Sequence, residues 1–264
     1  MIRIAVTGAC GKMGGLIIEK VLKSADLKLV CAIDVTNIGN DIGDVTKTGK
    51  LGVPVMDASD IENALKISKP DVLIDFTIAQ AAVKNVTACA RNKVNLVVGT
   101  TGFTKDQRSL MDKAILENSI CAVISPNFSI GVNVFWGLLA EAAKRLDDYD
   151  IEIIEAHHNQ KKDAPSGTAV KAAQVISDTL GGKELVYGRY GLAPRHKEIG
   201  IHAVRGGDIV GDHTVLFAGD GERIEIKHQA HSRQAFAKGA VRAAIWICKA
   251  RPGIYEMADV LGIK

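Results

Sequence analysis

At 264 residues, 47% of them apolar and 24% charged, the chain is large enough to bury one sizeable α/β core or two modest ones. Its 33 Lys and Arg against 30 Asp and Glu leave a net charge of +3, and no block of like charges marks a nucleic-acid surface. No apolar run approaches the roughly 20 residues of a bilayer span, and the N-terminus enters a strand pattern at once, so a soluble, uncleaved cytoplasmic protein without a membrane partner is expected.

The first half alternates two patterns. Short runs rich in Val and Ile, at 2–6, 28–33, 72–74, 96–98 and 121–124, read as buried strands. Between them 13–23, 61–65, 79–92 and 105–118 repeat at helical spacing. This βαβα rhythm predicts a doubly wound, Rossmann-type parallel sheet with helices on both faces and ligand loops beyond the carboxyl ends of its strands. Past Pro126 the order changes to a helix at 132–145, a strand at 151–156, a helix at 167–180, then successive strands at 199–204, 212–217 and 223–228. Strand following strand predicts a C-terminal mixed α/β domain, with Gly219-Asp220-Gly221 as a hairpin turn. Residues 234–249 return to a helical pattern. The change of rhythm past Pro126 predicts two lobes.

Gly8, Gly11 and Gly14 lie in VTGACGKMG at 6–14, between the first strand and the first helix. Positions without side chains let the backbone approach a pyrophosphate, which then sits at a helix N-terminus. Asp34 ends the next strand about 20 residues after the third glycine, where a carboxylate accepts hydrogen bonds from ribose hydroxyls. Strand, glycine loop, helix, strand and acid in that order predict a nicotinamide dinucleotide. Asp34 repels the extra phosphate of NADP and Val35 brings no guanidinium, so NADH is preferred; Lys12 lies in the loop and keeps NADPH possible. Two further strand ends, Asp75-Phe76-Thr77 and Gly99-Thr100-Thr101-Gly102, supply hydroxyls and bare backbone for the nicotinamide side of the site, or are ordinary βα turns.

The densest chemistry is EAHHNQKKDAPSGT at 155–168. If the strand runs through His157 and His158, their rings point to opposite sides, leaving one to face a cleft. Imidazole titrates near neutrality and serves as a general acid. Lys161 offers an ammonium for a carboxylate and for negative charge developing during hydride attack. The following turn opens a helix whose first amides fall near Gly167 and Thr168, an anion site, although Asp163 and Ser166 also suit simple capping. Neither His157-His158 nor His228-x-x-His231 has a zinc pattern, so no metal is expected. Cys10, Cys31, Cys89, Cys121 and Cys248 are scattered without a C-x-x-C pair, as free thiols in a reducing compartment are; Cys10, beside a helix N-terminus, is either a reactive thiol or a small loop residue. A regulatory NADH-binding module and a dehydrogenase of a smaller imino acid remain open alternatives at this point, though neither explains the cluster at 155–168.

Together VTGACGKMG, DFT at 75–77, GTTG at 99–102, SPNFSIGVN at 125–133, EAHHNQKKDAPSGT and RGGDIVGDHTVLFAG at 205–219 resemble the dihydrodipicolinate reductase family over essentially the whole chain. The resemblance implies an NAD(P)H-dependent oxidoreductase of lysine and diaminopimelate biosynthesis, acting on a cyclic dicarboxylate and assembling as a homotetramer through open sheets. It also implies the expected boundaries, with 1–128 as a dinucleotide-binding domain, 129–237 as a substrate-binding and tetramerisation domain, and 238–264 as a C-terminal helix returning to the first. It implies hydride addition at C4 of the ring, His157 as proton donor, and His158, Lys161, Gly167 and Thr168 as carboxylate ligands. Cofactor contacts are implied for Gly8, Lys12, Met13, Asp34, Gly99, Thr101 and Pro126-Asn127-Phe128, with 125–128 as a hinge. Many relatives carry Arg where this chain has Val35.

Overall fold

Val- and Ile-rich strands with no polar face are stable only where both faces are covered, and the first half of the chain meets that condition. The structure, a computed structural model, describes residues 1–263. In chain order its elements are β1 (Ile2–Thr7), α1 (Lys12–Leu22), β2 (Leu27–Asp34), α2 (Ile42–Thr46), β3 (Val55–Asp57), α3 (Ile61–Ser68), β4 (Val72–Asp75), α4 (Ala79–Arg91), β5 (Asn95–Val98), α5 (Lys105–Glu117) and β6 (Cys121–Ile124). There follow α6 (Ile130–Ala143), β7 (Asp150–His157), α7 (Gly167–Thr179), β8 (Leu185–Tyr187), β9 (Ile199–Arg205), β10 (Gly211–Gly219), β11 (Glu222–Ala230), α8 (Gln234–Ile247), β12 (Gly253–Tyr255) and α9 (Met257–Leu261).

The chain divides into two units, Met1–Ser129 together with the segment from Gln234 onward, and Ile130–Arg233. The returning segment starts as one continuous helix at Gln234, with Ala237 already fully buried. The first unit holds a seven-stranded sheet in the order β12-β6-β5-β4-β1-β2-β3, every neighbouring pair parallel. The reversal of direction beside β1 is the doubly wound arrangement, and it places the loops after β1 and β4 at the switch point where such sheets bind ligands. Ala5, Leu73, Leu96, Val98, Ala122 and Ile124 face a core shared with α3, α4 and α5. Their alternating neighbours face the opposite side, where α1 packs with α8.

The second unit is a mixed sheet in the order β11-β10-β7-β9-β8, antiparallel from β11 to β7 and parallel from β7 to β8. Helices α6 and α7 cover one face through Phe135, Trp136, Leu139, Ala172 and Ile176, which meet Ile151, Ile153, Val215 and Phe217. Strands β10 and β11 join through Asp220-Gly221, where Gly221 takes the left-handed φ of +81°.

Candidate active site

The loop after β1 is shaped by close contacts only glycine permits. Gly8 sits at φ +68°, and a Cβ on it would stand 3.1 Å from the Phe76 carbonyl oxygen. Gly14, buried in α1, is tighter: its Cβ would lie 2.1 Å from the Gly8 carbonyl oxygen and 2.7 Å from Ala9 Cα. Gly11 is the N-cap of α1 in extended conformation, exposed, with Lys12 exposed beside it and Met13 half-buried. A glycine-lined helix start with its backbone bare is a cradle that fits a pyrophosphate. Asp34 closes the loop: its Oδ2 accepts from Cys10 N at 2.9 Å, and its Oδ1 accepts from Val35 N at 2.8 Å and Thr36 Oγ1 at 3.1 Å. Beside it lies a cavity of about 600 Å³ lined by Gly8, Asp34, Val35, Asp57, Thr77 and Lys84. Asp57, on the strand paired with β2, adds a second carboxylate that sequence reading did not single out. At Cys10 burial first, then the Asp34 charge, raises the thiol above its ordinary range, which favours the small loop residue over the reactive thiol.

Asp75 organises the next two strand ends. Fully buried, its Oδ1 accepts from Thr77 N at 3.0 Å, Thr77 Oγ1 at 2.8 Å and Thr100 Oγ1 at 2.9 Å, while Oδ2 accepts from Asn85 Nδ2 at 2.7 Å. The loops bearing Phe76-Thr77 and Gly99-Thr100-Thr101 are thereby tied to one carboxylate. A Cβ on Gly99 would stand 2.3 Å from the Phe76 ring, so these loops also touch through bare backbone. Thr100 is buried and serves the network, whereas Thr101 is exposed. In the 126–128 segment Pro126 is exposed and Asn127 half-buried, but the Phe128 ring is buried and packs tilted against Phe76 at 5.5 Å. The Phe128 side chain therefore belongs to the core of the first unit.

In the second unit, alternation along β7 buries Ile151, Ile153, Glu155 and His157 on the helix-covered face. The row is apolar at its start and polar at its carboxyl end. Its neighbours match, with His213 opposite Glu155 on β10 and Arg205 opposite His157 on β9. His157 Nδ1 lies 2.6 Å from Glu155 Oε2. Arg205 donates to both Glu155 oxygens at 2.8 Å, and Ser166 N donates to Oε1 at 2.8 Å. Burial pushes the Glu155 carboxyl up, but the bonds from Arg205, His157 and Ser166 outweigh it and hold it below the usual carboxylate range, so it is ionised near neutrality. The strand stops at His157, and His158 falls just outside it, half-buried. Lys161 Nζ pairs with Asp163 Oδ1 at 2.9 Å. Ser166 is the N-cap of α7, its Oγ accepting from Ala169 N at 3.2 Å and lying 2.9 Å from His213 Nε2. Gly167, exposed with open space around it, and Thr168 form the first turn of α7. Glu155, Arg205 and His213 had no role in the sequence reading; the signal available was the two-residue spacing of Glu155 and His157.

Residues 2–128 match the description "Dihydrodipicolinate reductase, N-terminus" and residues 131–261 match "Dihydrodipicolinate reductase, C-terminus". The chain belongs to the dihydrodipicolinate reductase family. It is 63% identical, over 100% of both chains, to the 4-hydroxy-tetrahydrodipicolinate reductase of Methanosarcina barkeri. To the protein of the same name from Methanococcoides burtonii it is 65% identical over 99% of this chain and 100% of that one. Among solved structures it is similar to the dipicolinate-bound dihydrodipicolinate reductase of Paenisporosarcina sp. TG-14, with a TM-score of 0.81, 29% identity and 98% of each chain covered. Dihydrodipicolinate reductases are pyridine-nucleotide-dependent, which agrees with the glycine cradle after β1. Family membership sets aside both the regulatory module and the smaller imino-acid dehydrogenase.

Proposed function

We propose that the chain reduces 4-hydroxy-tetrahydrodipicolinate to tetrahydrodipicolinate, with loss of water, in lysine and diaminopimelate biosynthesis. The observation that carries the reading is His157, an imidazole buried at a strand end with one nitrogen held by an ionised carboxylate, in a chain of this family. That arrangement suits proton delivery from the other nitrogen. Gly8, Gly11, Lys12, Met13, Gly14 and Asp34 hold the dinucleotide, with Phe76, Thr77, Gly99, Thr101 and the backbone of 126–128 on its nicotinamide side; when bound it supplies the hydride. The C4 hydroxyl and a hydrogen on the ring carbon between C4 and the imine first leave as water, giving the conjugated imine. Hydride then adds at C4, and His157 gives a proton to that neighbouring carbon of the enamine that results. Lys161 and His158 bind one substrate carboxylate, and the α7 N-terminus at Gly167 and Thr168 binds the other. Lys161 also stabilises the negative charge that builds as hydride arrives.

NADH is the preferred donor in this reading. Asp34 and Asp57 both line the cavity beside the loop, and the exposed Val35 offers no counter-charge to a 2′-phosphate. Lys12 and Lys84 leave NADPH usable. Mixing the purified protein with enzymatically generated substrate should oxidise NADH, followed at the nicotinamide absorbance, with a lower KM than NADPH. Absence of substrate-dependent oxidation overturns the activity; a clear NADPH preference overturns only the role given to Asp34 and Val35.

The face of the second sheet away from α6 and α7 exposes Ile154 at 38% and Val204 at 47%, on neighbouring strands. Apolar side chains on an uncovered sheet face suit burial against other copies, in keeping with a homotetramer. Light scattering coupled to size exclusion is expected to give four times the chain mass; a monomer mass would remove the assembly.

A further inference from the structure

The helix-covered row of β7 begins with Ile151 and Ile153 and would pack as well had it stayed apolar, yet it continues into a carboxylate with no exposed surface. Burying a charge is unfavourable unless every lone pair is matched, and replacing such groups by apolar ones of equal volume is often neutral or stabilising. Glu155 is matched on both oxygens, and each partner belongs to a different part of the substrate site. Oε2 meets His157 Nδ1 at 2.6 Å, while Oε1 receives Ser166 N, the residue that caps α7, at 2.8 Å. Arg205, bonded to both oxygens, also donates through Nη2 to the Asp163 carbonyl oxygen at 2.6 Å. Asp163 in turn holds the Lys161 ammonium. One carboxylate is thus tied to the imidazole, to the start of the anion-binding helix and to the lysine loop.

We propose that Glu155, clamped by Arg205, is a positioning residue for the reduction: it fixes the His157 ring with a proton on Nδ1, making Nε2 the nitrogen that delivers the proton to substrate. The inference rests on His157 being the general acid. An ionised carboxylate only accepts, so the hydrogen shared with His157 sits on Nδ1. As an imidazolium, His157 carries a second proton on Nε2. When that proton forms the new C–H bond, the neutral ring left behind is the Nδ1–H tautomer, the one whose bond to Glu155 is already made. Glu155 keeps its charge throughout, as the orienting carboxylate of a catalytic triad does. The ring stands edge-on to His213, centroids 5.2 Å apart. Burial first, then the His157 charge, pushes His213 down to about 4, so it stays neutral and does not compete as a second cation. The charged and titratable groups that His157 meets include Glu155 on β7 and His213 on β10, and Arg205, paired with it on β9, shares the Glu155 carboxylate.

Two measurements test this. In the wild-type protein labelled with 15N-histidine, the His157 signals are assigned by their loss in His157→Gln, and at a pH where the ring is neutral they should report Nδ1 protonated and Nε2 bare. The opposite tautomer overturns the proposal without recourse to any Glu155 variant. In Glu155→Gln, checked for cooperative unfolding, kcat should fall at least about 10-fold and up to the ~10⁴-fold seen when the carboxylate orienting a triad histidine becomes an amide, with a smaller change in substrate KM. A folded Glu155→Gln enzyme with wild-type kcat sinks the positioning role. Failure of the underlying reading looks different: His157→Gln itself would then turn over at the wild-type rate.

Discussion

Replacing His157 by glutamine is expected to lower kcat by about 10²–10⁴-fold, the range for a lost general acid. That range corresponds to about 3–5 kcal/mol of transition-state stabilisation. Glutamine keeps roughly the reach of the imidazole and offers an N–H to Glu155, so the buried carboxylate retains a donor and the sheet its packing. What glutamine lacks is a proton it can surrender near neutrality. NADH binding, measured by fluorescence, should be unchanged, since the glycine cradle and the Asp75 network lie in the other unit. Steady-state rates across pH separate the outcomes. A fall in kcat with little change in substrate KM marks an interaction made in the transition state, a rise in KM alone marks a binding group, and no change removes the imidazole from the mechanism.

What the sequence disclosed and withheld follows from distance along the chain. The strands β1, β2, β4, β5 and β6 were legible because each is a local apolar run, and the alternation of strands with helices implied the parallel sheet. The strands β3, β8 and β12 span three residues each, too short for any period to show, and only pairing with β2, β9 and β6 defines them. In the site, the residue types were visible and the connections between them were not. Glu155 opens the quoted motif two residues before His157, but its meaning depends on Arg205, fifty positions later and brought alongside only by the parallel pairing of β7 with β9. Asp75 appeared as one letter of a strand-end motif; its bonds to Thr77, Thr100 and Asn85 require β4, β5 and α4 to be assembled first. Phe128 shows the reverse case, a motif residue whose ring is claimed by Phe76 and the core.

Gly14→Ala is expected to damage the first unit, and the size of the effect follows from which of two opposing terms is larger. Alanine in place of glycine inside a helix gains up to about 1 kcal/mol from propensity. Against this, the new methyl group would sit 2.1 Å from the Gly8 carbonyl oxygen and 2.7 Å from both Ala9 Cα and the Ala9 carbonyl oxygen. All are backbone atoms that no rotamer change moves aside, so α1 must shift off the loop, at the roughly 1–3 kcal/mol typical of overpacking or more. The overlap is severe enough for strain to win, lowering Tm by several degrees. The same shift withdraws the α1 N-terminus from the loop it shares with Gly8, so affinity for NADH and NADPH alike should drop at least about tenfold, or about 1.4 kcal/mol. Gly15→Ala is the matched control, one residue further along the same helix. Its added methyl group meets only Thr46 Cγ2, at an ordinary 3.6 Å, so the propensity gain stands unopposed and stability should hold or rise with NADH affinity unchanged. Thermal melts and NADH titrations of the two variants decide the matter: if Gly14→Ala behaves like Gly15→Ala, the close approach of α1 to the loop is not what builds the cradle.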